Sequence, residues 1–178
     1  MKKVIVVFVV CLFIFWTARI ISINRNSPIT TCYNIGDTLD CGDLEVSFVE
    51  SHLDDPDEFK KRFGVDSDGS CGEHKVLSIC IDVTNRSAID ADMDEVRGFL
   101  ECGFDSTSWA SAIDPEVTKQ INATNENSIA PGRSQKIWFI TEVNKVCFKD
   151  SSWKHIDELP FMYVLTLSPQ KIAVRLSA

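Results

Sequence analysis

The chain has 178 residues, with 26 acidic against 18 basic side chains and a formal charge of −8. Four of the basic residues, Lys2, Lys3, Arg19 and Arg25, precede residue 26 and all 26 acidic residues follow it, so the rest of the chain sets 14 basic side chains against 26 acidic ones. Such a surface repels phosphate backbones and anionic headgroups, which excludes nucleic acid as a partner and makes solubility the plain purpose of the acidity.

The first element in chain order is apolar. Lys2 and Lys3 lead into a run from Val4 to Trp16, continued by Thr17, Ala18, Ile20 and Ile21. A helix that crosses the hydrocarbon needs roughly 17–25 such residues, and a cleaved signal ends in a small-x-small site that is missing here. Residues 1–23 are therefore predicted to be an uncleaved single-pass anchor, with Arg19 snorkelling to the interface. The lysines keep the short N-terminal tail inside and export the remainder. A cleaved signal and a secreted product are the alternative. Cys11 sits between Val9-Val10 and Leu12-Phe13, not in the small, then polar, setting of a lipid-modified cysteine.

Residues 24–31, polar and carrying Pro28, read as a tether. Residues 32–178 then have the length of one domain with a real core. Leu44, Val46 and Phe48 alternate with Glu45, Ser47 and Glu50; Leu77, Ile79, Ile81 and Val83 alternate with Ser78, Cys80, Asp82 and Thr84. Both stretches predict half-buried strands. Further strands are predicted over Phe99–Phe104, Lys136–Val143, Phe161–Leu167 and Lys171–Leu176, the last two joined by Ser168-Pro169-Gln170.

Helical signals are short. Asp55-Pro56-Asp57-Glu58 orders an N-cap carboxylate, a first-turn proline and a capping-box glutamate, followed by Phe59 and Phe63 and a stop at Gly64. Asp114-Pro115-Glu116 opens a comparable turn toward Asn122. Strands at this frequency, with Gly, Pro, Asn and Asp between them, predict an all-β antiparallel sandwich or barrel with helices only near 56–63 and 115–121.

Seven cysteines stand at 11, 32, 41, 71, 80, 102 and 147. Outside the membrane, Cys32, Cys41, Cys71, Cys80, Cys102 and Cys147 make an even set in a compartment that permits disulfides. At least one bridge is expected. Cys32 with Cys41, flanking the Gly36-Asp37 turn, ranks first, and Cys80 with Cys102 would follow only if their strands pair. Buried small apolar roles are the alternative. There is no CxxC and no close Cys/His pair to suggest structural zinc.

Asp90, Asp92 and Asp94 at positions 1, 3 and 5, with Glu101 at position 12, mimic the ligand spacing of a calcium loop, although Glu95 stands where that loop needs glycine. The other reading is the wet face of an edge strand. Asp66-Ser67-Asp68-Gly69-Ser70 reads as an acidic turn. His52, His74 and His155 belong to no HExxH pattern, and no nucleophile elbow or phosphate loop is present, so no catalytic residue is assigned. Trp138 in Ile137-Trp138-Phe139-Ile140 is expected in the core, and Trp109 and Trp153 under their own loops.

The order of pieces carries a resemblance. Tyr33-Asn34-Ile35-Gly36-Asp37 precedes Gly42-Asp43-Leu44-Glu45-Val46; a middle strand ends in Asp82-Val83-Thr84-Asn85-Arg86-Ser87; Ile129-Ala130-Pro131-Gly132 leads into Lys136-Ile137-Trp138-Phe139. Over residues 32–176 this resembles the telokin-like, immunoglobulin-like domains of unknown function in exported lipoproteins and membrane-anchored proteins of Gram-positive bacteria. The resemblance implies an immunoglobulin-like antiparallel sandwich of eight or nine strands, displayed outside the cell, with a binding or structural role. The antibody-type Cys-Trp-Cys arrangement is absent, which argues against a true immunoglobulin domain. Three function classes follow, in this order: a tethered module that contacts an exported or cell-envelope protein, a calcium- or small-ligand-binding domain, and a surface hydrolase.

Overall fold

The computed structural model describes residue 16 and residues 30–67, 72–107, 109–167 and 170–176. The expected anchor, apart from Trp16, lies outside the described residues. Among the described residues no helix is long and apolar enough to cross a membrane.

Two sheets face each other. One has five strands in the order β1 (Thr30–Asn34), β11 (Lys171–Arg175), β10 (Met162–Thr166), β6 (Gly103–Asp105) and β7 (Ala110–Ser111). The other has four, in the order β2 (Thr38–Asp40), β3 (Leu44–Asp54), β4 (His74–Asn85) and β9 (Ser134–Asn144). A short ribbon pairs β5 (Ala91–Asp92) with β8 (Ser128–Ile129). The sandwich is not wholly antiparallel as expected, because β1 runs parallel to β11, with Cys32 opposite Ala173. A first strand laid beside the last needs no hairpin, so its direction is set by how the chain enters the sheet. Thr30 and Thr31, expected in the tether, already belong to β1.

The alternation read in the sequence fixes the core. Val46 and Phe48 on β3, Leu77, Ile79, Ile81 and Val83 on β4, and Ile137 and Phe139 on β9 pack with Tyr163, Leu165 and Val174 of the facing sheet. A register shift between Phe48 and Glu50 moves the inward parity of β3 from even to odd positions, so that Leu53 joins the same core.

The other face of the four-stranded sheet has its own small cluster. Helices α1 (Pro56–Phe63) and α3 (Pro115–Ile121) lie over it, and Phe59, Val76, Val117 and Ile140 are buried between them. Both helices stand where the sequence predicts them. Asp114 caps α3 by accepting from the Glu116 and Val117 N–H groups at 3.0 Å. Asp55 precedes α1 but makes no cap bond, its carboxylate instead pairing with Lys75 at 3.2 Å.

One element differs in kind. The strand predicted over Phe99–Phe104 is the end of helix α2 (Met93–Leu100) followed by the three residues of β6. Met93, Val96 and Leu100 stand on one helical face and enter the main core. The short helix α4 (Asp150–Trp153) completes the elements that bear on the sites below.

Candidate functional site

The best-built surface feature is the end of the sandwich where β4 passes through residues 86–90 into β5 and α2. Asn85 is fully buried and holds this turn. Its amide nitrogen donates to the carbonyls of Ile89 and Ile129, both at 2.7 Å, and its Oδ1 accepts from the Ser87 N–H at 2.9 Å. Ser87 Oγ adds a second bond to the Ile89 carbonyl at 2.7 Å. The Pro131-Gly132 turn, with Gly132 at φ 69, closes on the same asparagine, since the Gly132 N–H donates to the Asn85 carbonyl at 2.8 Å. A buried amide with its donors and acceptors engaged leaves the backbone around Ile89 one arrangement.

That arrangement points Ile89 outward, 75 % exposed. Phe99, on the solvent side of α2, is 54 % exposed. The two line one hollow of about 290 Å³ with Leu44, Ala91 and Val96. Helix α2 is held from below by its core face and by Tyr163, whose hydroxyl donates to the Leu100 carbonyl at 2.7 Å. Burial pushes that phenol well above its ordinary range, so it stays a neutral donor.

The residues expected to hold calcium fall around this hollow without converging. Asp92 ends β5 and caps α2, its Oδ1 accepting from Asp94 N–H at 2.8 Å and Glu95 N–H at 3.2 Å. Asp94 points to Arg97 at 3.7 Å. Glu101 lies past the far end of the helix, about 13 Å along its axis from Asp92. Asp90 lines the hollow. Among the described residues no group of three or more His, Cys, Asp or Glu side chains is placed to hold a metal ion. The period-two aspartates are a strand-to-helix junction, with the cap spending one carboxylate on backbone.

The cysteines are not paired as expected. Cys32, Cys41, Cys80, Cys102 and Cys147 are free thiols, and Cys71 lies outside the described residues. Cys32 is on the five-stranded sheet opposite Ala173, whereas Cys41 follows β2 of the other sheet. Cys80, central in β4, has Glu50 and Trp138 as register neighbours, and Cys102 precedes β6 across the sandwich. The division of strands between the two sheets separates both expected pairs. Burial pushes the Cys80 thiol up to about 11.

A second cleft, of about 860 Å³, lies between the segment after α1, the start of α3 and the end of β9. Ser67 Oγ sits on its wall, 2.9 Å from His74 Nε2, and His74 Nδ1 is 2.9 Å from the Gly72 carbonyl. Since a carbonyl only accepts, Nδ1 carries a proton, and in the neutral ring Nε2 accepts from the serine, the bonding order of a nucleophile and its base, while Glu142 Oε1 stands 3.9 Å from the same nitrogen. The same walls carry Asp66, Asp114, Glu116 and Glu142. Four carboxylates on those walls oppose the negative charge that acyl transfer develops on oxygen. His52 stacks on Trp138 at 6.1 Å and His155 faces Glu158 at 3.2 Å, each far from this cleft in role.

Trp109, Trp138 and Trp153 pack within the fold. Trp109 is buried edge-on against Phe161 at 5.6 Å. Trp138, expected in the main core, is half-buried on the opposite face of its sheet against Phe63 at 4.8 Å. Trp153 donates from Nε1 to Glu73 at 2.7 Å, beside Lys145 at 2.6 Å, and the two hold that carboxyl below its ordinary range.

The family model described as a domain of unknown function, DUF5028, matches residues 21–172, and the chain belongs to that family. No curated protein matches it. Two solved structures are similar to it. An uncharacterized β-sandwich protein from Clostridium difficile 630 is 11 % identical with a TM-score of 0.49, over 82 % of this chain and 95 % of that one. A conserved hypothetical protein from Bacillus anthracis is 10 % identical with a TM-score of 0.47, over 73 % and 87 % of the two chains.

Proposed function

We propose that this chain is a membrane-tethered binding module of immunoglobulin-like build, displayed outside the cytoplasm and contacting an exported or envelope protein through the face that carries Ile89 and Phe99. One observation carries the reading. Two large apolar side chains stand in solvent at the same hollow, each on backbone that burial and hydrogen bonding hold in place. Scattered exposed apolar residues need no explanation, but a clustered pair on a rigid support is the surface that protein contacts use. The tether rests on Lys2 and Lys3 before the apolar run of residues 4–21.

Photo-crosslinking in the native cells tests the contact. A photoreactive residue at position 89 or 99 of the full chain is expected to give a discrete adduct, and one at Lys61 on α1 none. Equal adducts at all three positions, or none at 89 and 99, refute the contact face. The tether is tested separately: the full chain should stay with the membrane fraction and be cut by protease added outside, and a mature chain starting near residue 20–28 in the medium would rule it out.

A further inference from the structure

The hollow between Ile89 and Phe99 has a charge pattern of its own. Asp43, Asp90, Asp92 and Glu95 line it, with no Lys or Arg among the lining side chains. The arginines of the adjoining segments are already committed, Arg86 to Asp40 and Glu45, and Arg97 to Asp94. Asp92 is spent on the α2 cap. Asp43, Asp90 and Glu95 are left exposed around apolar surface, in no ion pair among the described residues.

We infer that the occupant of this face is a peptide segment of another protein that carries lysine or arginine beside one or two large apolar side chains. The inference rests on the reading of this face as the contact surface. A neutral apolar partner would cover three carboxylates and leave them desolvated without a counter-charge. A second copy docked face to face about a two-fold axis would set those carboxylates against one another. Phosphate-bearing ligands meet the same repulsion. A hollow of about 290 Å³ lies at the bottom of the range for small-molecule sites. It has room for an apolar side chain or two, with the acids placed at the rim to take their charged neighbours.

The full chain in phosphatidylcholine nanodiscs, titrated with short fluorescent peptides of alternating lysine and leucine, tests this. The Lys–Leu peptide is expected to bind, to weaken about tenfold on Asp43→Asn/Asp90→Asn/Glu95→Gln, and to be unaffected by Asp57→Asn/Glu58→Gln/Asp66→Asn on and after α1. Glu–Leu and Lys–Ser peptides are expected to bind far more weakly. The inference is overturned if either control peptide binds as tightly as Lys–Leu, if the rim variant binds unchanged, if the α1 variant weakens binding equally, or if no peptide binds. The contact face itself fails on a different result, the absence of adducts from positions 89 and 99 in cells.

Discussion

Helices α1 and α2 have eight residues each, similar amphipathicity and an acidic first turn, yet the fold uses them differently. Helix α1 spends both of its aromatics on the protein: Phe59 is fully buried and Phe63 packs on it at 5.0 Å and on Trp138 at 4.8 Å. Helix α2 gives Met93, Val96 and Leu100 to the main core and leaves Phe99 in water. An aromatic side chain outside the packing contributes little to folding, so its placement is free to serve contact. The contrast teaches where to look: apolar side chains that the core does not need, on backbone that the core does hold.

The largest effect expected from this contrast is on stability. Phe59→Ala removes a fully buried ring from a cluster of only four buried residues and should cost about 3–5 kcal/mol. Phe99→Ala should stay within about 0.5 kcal/mol of the parent. Denaturant unfolding of the two variants decides, and comparable losses would end the distinction between the helices. Cys80 offers a kinetic reading of the same difference, because it shares the covered face with Trp138, which packs under Phe63. Buried and with its pKa pushed to about 11, it has little thiolate near pH 8. Alkylation should reach Cys32, Cys102 and Cys147 first. Phe59→Ala should hasten modification of Cys80, and Phe99→Ala should leave its rate alone.

Next in size are the caps. Asp92 accepts two backbone N–H bonds at the start of α2, and Asp92→Ala should destabilise by about 0.5–2 kcal/mol. Asp55 occupies the same position at α1 without a cap bond, and its carboxylate meets Lys75 while largely exposed. Asp55→Ala should therefore cost less, about 0–1 kcal/mol. A larger loss from Asp55 than from Asp92 in thermal unfolding would show that the cap geometry is not what starts α2.

Much of this architecture was legible in the chain. Period-two runs located β3 and β4, an apolar run located β9, and proline after aspartate located α1 and α3, because those signals come from backbone chemistry local to the segment. Helix α2 was missed although its signals were present: Asp92 followed by Glu95 at the capping-box distance, then Met93, Val96 and Leu100 on one face. Aspartates at 90, 92 and 94 matched a strand and a metal loop as well, and it is the packing of Val96 and Leu100 beside Met93 that separates helix from strand. The cysteine pairs failed because sheet membership is a tertiary property. Asn85 was readable as a turn cap, but Ile89 carried no signal as a site residue. Its exposure follows from bonds made by residues 4 and 40 positions away in sequence.

Two glycines give predicted effects of opposite sign. Gly64 ends α1 at φ +71, with its N–H on the Lys60 carbonyl at 2.8 Å. An alanine there must hold a left-handed conformation that crowds its Cβ, so Gly64→Ala should destabilise by about 1 kcal/mol even though nothing lies within 4 Å of the added carbon. Gly98 lies inside α2 with the same open space around a built Cβ and no positive φ. Gly98→Ala should stabilise by about 0.5–1 kcal/mol, since alanine loses less backbone freedom on entering a helix. It sits one residue from Phe99, so the gain also measures how firmly α2 presents that ring. If Gly98→Ala raised stability while weakening Lys–Leu peptide binding, the contact would require α2 to yield on docking. Unchanged or tighter binding is the outcome expected of a preformed face.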